Sequence, residues 1–126
     1  MTEIRNLFNH GIDTLVIRVS NIVSARKWYQ EVMGLTPVWN DPDNNLIVLE
    51  TGGMTSLTLW QTDDSIQSNK ATSSYPIFKT TEIELARQHL QEKGVKVGDL
   101  IDETLLKYFF FYDEDGNMLE ACQVEQ

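Results

Sequence analysis

Residues 12–35, "IDTLVIRVSNIVSARKWYQEVMGL", change period partway along, and that change decides how the chain is read. The first part alternates and is rich in β-branched residues. It predicts a strand with Thr14, Val16 and Arg18 on one face and Leu15, Ile17 and Val19 on the other. Beyond Val19 the apolar residues Ala25, Trp28, Tyr29, Val32 and Met33 fall at helical spacing. Ser20 or Asn21 is placed to cap that helix, and Gly34 to stop it. Three strand-like pieces follow, "TPVWN" (36–40), "NLIVLE" (45–50) and "TSLTLWQ" (55–61). Pro42 and its aspartate neighbours bend the chain between the first two, and "TGGM" (51–54) turns it between the last two.

The same order then returns. "YPIFKT" (75–80) reads as a short strand, and "TEIELARQHLQEKG" (81–94) as a helix with Ile83, Ala86 and Leu90 on its apolar side and Gly94 at its end. "VKVGDLI" (95–101), "LKYFFFY" (106–112) and "NMLEACQV" (117–124) complete a second set of strands, with "DEDG" (113–116) as the last turn. Phe109 and Phe111 read as core, whereas Tyr108, Phe110 and Tyr112 face the other way, toward a cleft or a helix. Between the halves, "TDDSIQSNKATSS" (62–74) is polar and rich in Ser, Thr and Asp, as a connector is. The prediction is one α+β domain over residues 1–126. It holds two βαβββ modules, one over about 10–61 and one over about 75–124, joined by a connector at 62–74. One helix per module leaves a sheet face bare, so two such modules set curved mixed sheets around a cleft.

Composition narrows the function classes. With 10 Lys and Arg against 19 Asp and Glu, the net charge of −9 repels nucleic acid and anionic membranes, and no basic stripe offsets it. No apolar run reaches the length of a membrane span, and "MTEIRNLFNHG" lacks the basic and apolar regions of a secretion signal. The lone Cys122 cannot form an internal disulfide. The expected home is the cytoplasm. There is no phosphate-binding loop, CxxC or nucleophile elbow.

In "YDEDGNMLEACQ" (112–123), Glu120 shares a strand face with Met118, Cys122 and Val124. A carboxylate on such a face needs a partner, a metal or a chemical task. Together with "IRVSNIVSARKWYQEVMGL" (17–35), the stretch "FYDEDGNMLEACQ" (111–123) resembles the vicinal oxygen chelate superfamily, which includes glyoxalase I, extradiol dioxygenases and the fosfomycin- and bleomycin-resistance proteins. The resemblance runs from about Ile12 to Gln123. It implies a cleft that holds a divalent metal on one residue from each of four strands, usually His or Gln, then Glu, His and Glu. Those positions match Thr14, Thr58, Tyr75 and Glu120, so Glu120 alone retains a family ligand. Hydroxyls hold such ions poorly. His10 precedes the first strand and His89 lies on the second helix, where neither completes the set.

The resemblance therefore implies a glyoxalase- or bleomycin-resistance-like protein that binds a small organic ligand between its modules, with no cofactor expected. The alternative is a metal-dependent lyase, isomerase or dioxygenase with an atypical ligand set around Glu120. The candidate binding residues are Thr14, Arg18, Thr58, Trp60, Tyr75 and Glu120. Arg18 has two readings: a guanidinium that holds an anionic group of the ligand, or an ion-pair partner of Glu120. Glu120 is the only candidate for a catalytic role, as a general base made more basic by burial. Relatives in this superfamily often dimerise, which implies a homodimer here.

Overall fold

The computed structural model describes residues 5–67 and 69–125. The first half is β1 (Thr14–Val19), α1 (Ile22–Glu31), β2 (Thr36–Asp41), β3 (Leu46–Glu50) and β4 (Ser56–Gln61). The second is β5 (Ile77–Lys79), α2 (Ile83–Glu92), β6 (Ile101–Asp102), β7 (Leu106–Tyr112) and β8 (Met118–Val124). They form two four-stranded sheets, ordered β1-β4-β3-β2 and β5-β8-β7-β6. In each, the edge strand next to the helix pairs in parallel and the remaining pairs are antiparallel. This is the expected α+β architecture. No helix among the described residues is long and apolar enough to cross a membrane.

Alternation along the strands sorts side chains between the two faces of each sheet. Ile17, Val19, Leu57 and Leu59 are buried on one face of the first sheet with Ala25 and Tyr29 of α1. Phe109, Phe111, Leu119 and Ala121 are buried in the second with Ile83 and Leu90 of α2, and all belong to one core cluster. Each large apolar side chain fully buried there contributes about 1.5–3 kcal/mol. Asn21 caps α1, its side-chain oxygen accepting from the Val23 and Ser24 N–H groups at 3.0 Å. Gly34 and Gly94 carry φ of 74° and 77° where the helices stop, a region that only glycine enters freely.

The two halves repeat in detail. Helices α1 and α2 lie 61 residues apart, from Ile22 to Ile83. The Gln61 side-chain carbonyl accepts from the first N–H of α1 at 2.9 Å, and that of Gln123 does the same for α2 at 2.9 Å. Each module thus uses the end of its last strand to satisfy a free N–H at its helix start. Between modules, Asp113 (8% exposed) accepts from the Tyr29 hydroxyl at 2.7 Å and from the Asn117 amide at 2.9 Å. The same amide donates to the Arg18 carbonyl at 3.0 Å, which ties β1 to the β7–β8 turn. Burial and the Asp113 carboxylate together push the Tyr29 hydroxyl well above its ordinary pKa.

Two stretches depart from the sequence reading. The strand expected over 95–101 keeps only Ile101–Asp102 in regular pairing, with a single bridge from Val97 to Phe111. At Gly98 the chain is drawn against β7: its N–H donates to the Phe110 carbonyl at 2.7 Å, and a Cβ there would lie 3.5 Å from that oxygen. That bond and the Val97 bridge stand where an even ladder was expected, and the 3.5 Å spacing is ordinary contact. The strand expected from Tyr75 begins at Ile77, because Pro76 has no N–H for the ladder. Pro76 still accepts through its carbonyl from the Glu120 N–H at 3.1 Å.

Candidate ligand-binding site

The faces turned away from the helices carry the predicted site residues. On the first sheet Val16 pairs with Thr58, Thr58 with Val48, and Val48 with Trp39, which makes one row across four strands. The neighbouring row holds Arg18 and Trp60. On the second sheet Ile77 pairs with Glu120, and Glu120 with Phe110. The registers Val16–Thr58 and Ile77–Glu120 are equivalent, so Tyr75, two residues before Ile77, corresponds to Thr14, two before Val16. Thr14 and Thr58 in the first module thus match Tyr75 and Glu120 in the second.

The equivalent positions carry different chemistry. The Thr14 and Thr58 hydroxyls hydrogen-bond each other at 2.7 Å, and Thr58 is buried. Glu120 is 7% exposed, yet its carboxylate meets no cation: the only ion pair among the described residues joins Lys107 to Glu84. Burial alone pushes the Glu120 carboxyl above the ordinary range, with no neighbouring positive charge to pull it back. Its oxygens still reach solvent, since no fully buried side-chain oxygen among the described residues lacks a hydrogen-bond partner. Burial also raises the neighbouring Cys122 thiol, helped by the Glu120 charge and opposed by Lys79.

Arg18 does not reach Glu120. Its guanidinium donates to the carbonyls of Trp60 at 3.1 Å and Gln61 at 3.2 Å, and lies 4.4 Å from the centre of the Trp60 ring. It remains exposed, as does Trp60 at 40%. Tyr75 stacks edge-on to Phe110, with ring centres 5.8 Å apart, and Tyr108 does so at 6.0 Å. Phe110 and its two tyrosine neighbours are on the Glu120 face, because Phe109 and Phe111 occupy the core. Alternation alone showed that these rings share a side. It took the β7–β8 register to put Phe110 opposite Glu120.

A cavity of about 420 Å³ opens where the modules meet. Val16 and Arg18 line it from β1, Asn117 and Met118 from β8 and its turn, and Ile66 and Ser74 from the connector. The connector's part was not legible in the sequence, since its polar composition shows no periodicity. A larger hollow of about 740 Å³ lies on the helix side, between the end of α1 and α2, and none of the predicted site residues borders it. His89 stands there with its Nε2 2.8 Å from the Val32 carbonyl, and His10 is exposed.

The four family positions make a poor metal site by their donor chemistry. They offer two hydroxyls already bonded to each other, a phenol and one carboxylate. No group of three or more His, Cys, Asp or Glu side chains suited to a metal occurs among the described residues. This set does not fit an ion held by imidazole nitrogen and carboxylate oxygen.

Residues 11–121 match the family described as Glyoxalase/Bleomycin resistance protein/Dioxygenase superfamily. The fold is similar to that of a putative glyoxalase family protein from Bacillus anthracis, at 20% identity and TM-score 0.80, covering 97% of this chain and 100% of that one. It is also similar to TnmS3, an antibiotic binding protein from Streptomyces sp. CB03234, at 22% identity and TM-score 0.75, with 90% and 95% covered. Lactoylglutathione lyase from Agrobacterium tumefaciens matches at 17% identity and TM-score 0.73, with 90% and 92% covered. At these identities the likeness is one of fold. Comparison with curated proteins gives no match.

Proposed function

Starting from a chain that belongs to the glyoxalase, bleomycin-resistance and dioxygenase superfamily, we propose that it binds a small organic ligand between its modules without the divalent metal usual in that family. The observation that carries this reading is the Thr14–Thr58 hydroxyl pair at 2.7 Å, which fills two of the four ligand positions with groups that satisfy each other. The cavity beside Arg18 suits the role, with an apolar wall from Val16, Met118 and Ile66 and a few convergent polar groups. Its volume lies within the usual span for small-molecule sites, about 300–1,000 Å³. The fold-level likeness to an antibiotic binding protein is consistent with sequestration rather than turnover.

The protein is further taken to act as a cytoplasmic homodimer. Trp39 and Ile77 are 59% and 53% exposed on the helix-free faces and outside the cavity lining, an apolar surface that a second copy would cover. Elemental analysis of untagged protein, run with light scattering on the same sample and titration with Ni, Zn, Mn and Fe(II), tests the reading. The expected result is substoichiometric metal, weak uptake of all four ions and the mass of two 14.5 kDa chains. Stoichiometric metal that disappears in Glu120→Gln would establish the metal-dependent alternative instead.

A further inference from the structure

We propose that Glu120 and the rings of Tyr75, Tyr108 and Phe110 form a receptor for a protonated organic amine on the helix-free face of the second module, beside the cavity that Met118 borders. This deepens the binding reading above and rests on it. The starting point is Glu120, a residue 7% exposed that forms no ion pair among the described residues. Such a group keeps only part of its hydration and gains no compensating charge until a positive one arrives.

The obvious internal cation is committed elsewhere. Arg18 is held by the Trp60 and Gln61 carbonyls and by the Trp60 ring. Lys79 stands on β5 opposite Cys122, one rung along from Glu120, and is exposed and forms no ion pair with it. Cys122 and Tyr108 complete that rung, and burial and the Glu120 charge raise the Cys122 thiol while Lys79 opposes them. The lysines that do find aromatic faces, Lys70 at 4.1 Å and Lys96 at 5.1 Å, both sit on Tyr112 at the far end of the strand.

The rings give the site its selectivity. Phe110 is directly opposite Glu120 in the β7–β8 register, and Tyr75 and Tyr108 pack edge-on against it from two sides. Aromatic faces attract cations within about 6 Å of the ring centre, and most strongly where water is excluded. A carboxylate among such rings favours an ammonium over a neutral molecule of the same shape, and repels an anion. The chain's net charge of −9 draws cations to the cleft in the first place.

Three probes of one shape and different charge decide the matter: benzylamine, benzyl alcohol and benzoate, each titrated at neutral pH and low salt into the full chain and followed by amide chemical shifts. The expected result is benzylammonium binding about tenfold or more tighter than benzyl alcohol, with shifts in residues 106–112 and 118–124. Glu120→Gln should bring the two affinities together while its thermal unfolding stays near that of the parent. The wild-type comparison stands even if that variant folds poorly. Equal affinities, or a preference for benzoate with shifts centred on Arg18 and Trp60, would overturn the amine assignment and leave the binding cleft intact. An absence of shifts in β1, β4, β7 and β8 with all three probes would remove both readings.

Discussion

The two modules share a scaffold and differ in the chemistry mounted on it. Their parallel strand pairs have matching registers, their helices start on equivalent glutamine side chains, and each helix ends at a glycine with positive φ. On that frame the first module places two hydroxyls that bond each other, and the second places, across from Phe110, a carboxylate with no ion pair among the described residues. The difference shows that the face toward the helix and the face away from it are under separate constraints. One is filled by packing, where volume and apolarity decide. The other is open to solvent and ligand, where the donors can change without disturbing the register.

The largest expected effect tests the shared scaffold. Leu57 and Leu119 occupy equivalent helix-facing positions, at 2% and 0% exposure. Leu57→Ala and Leu119→Ala should each lower unfolding free energy by about 2–5 kcal/mol in urea titrations. A loss in one and not the other would break the equivalence of the modules.

The junction between them comes next. Tyr29→Phe removes the hydroxyl that donates to buried Asp113, a hydrogen bond to a charged group worth about 1.5–3 kcal/mol. Because folding raises the Tyr29 pKa, its contribution is fully present below the unfolded value of about 10 and is lost as pH rises through the higher folded value. The parent should therefore lose stability above about pH 10 more steeply than Tyr29→Phe does. Equal slopes would mean that the hydroxyl titrates alike in both states.

The smallest effect sharpens the contrast at the site. Thr58→Val strands the Thr14 hydroxyl and should cost about 1 kcal/mol, whereas adding Thr14→Val should return part of that loss. A double-mutant cycle measures the coupling. Strict additivity would show that the two hydroxyls do not support each other.

Much of this was legible in the chain. Alternation separated Thr14, Val16 and Arg18 from Leu15, Ile17 and Val19 in β1 and gave Glu120 the Met118 and Cys122 face of β8, while the burial of Leu57, Leu59 and Leu119 on the opposite faces came with the structure. Asn21, Gly34 and Gly94 marked the helix ends because capping and positive φ are set by chemistry within a turn or two. The repeat, read twice, fixed the fold class. The irregular path at Gly98 was hidden, because its cause is a carbonyl on another strand.

The sequence by itself determined the strands, the helices, the faces and the isolation of Glu120 among family ligand positions, since each depends on residues two to four apart or on residue type. Tertiary structure decided the partners. Arg18 found Trp60 and Gln61 instead of Glu120, Tyr75 reached Phe110, and the connector came to line the cavity. Those choices depend on strand register and module docking, which bring together residues dozens of positions apart, and no local pattern records which long side chain arrives first.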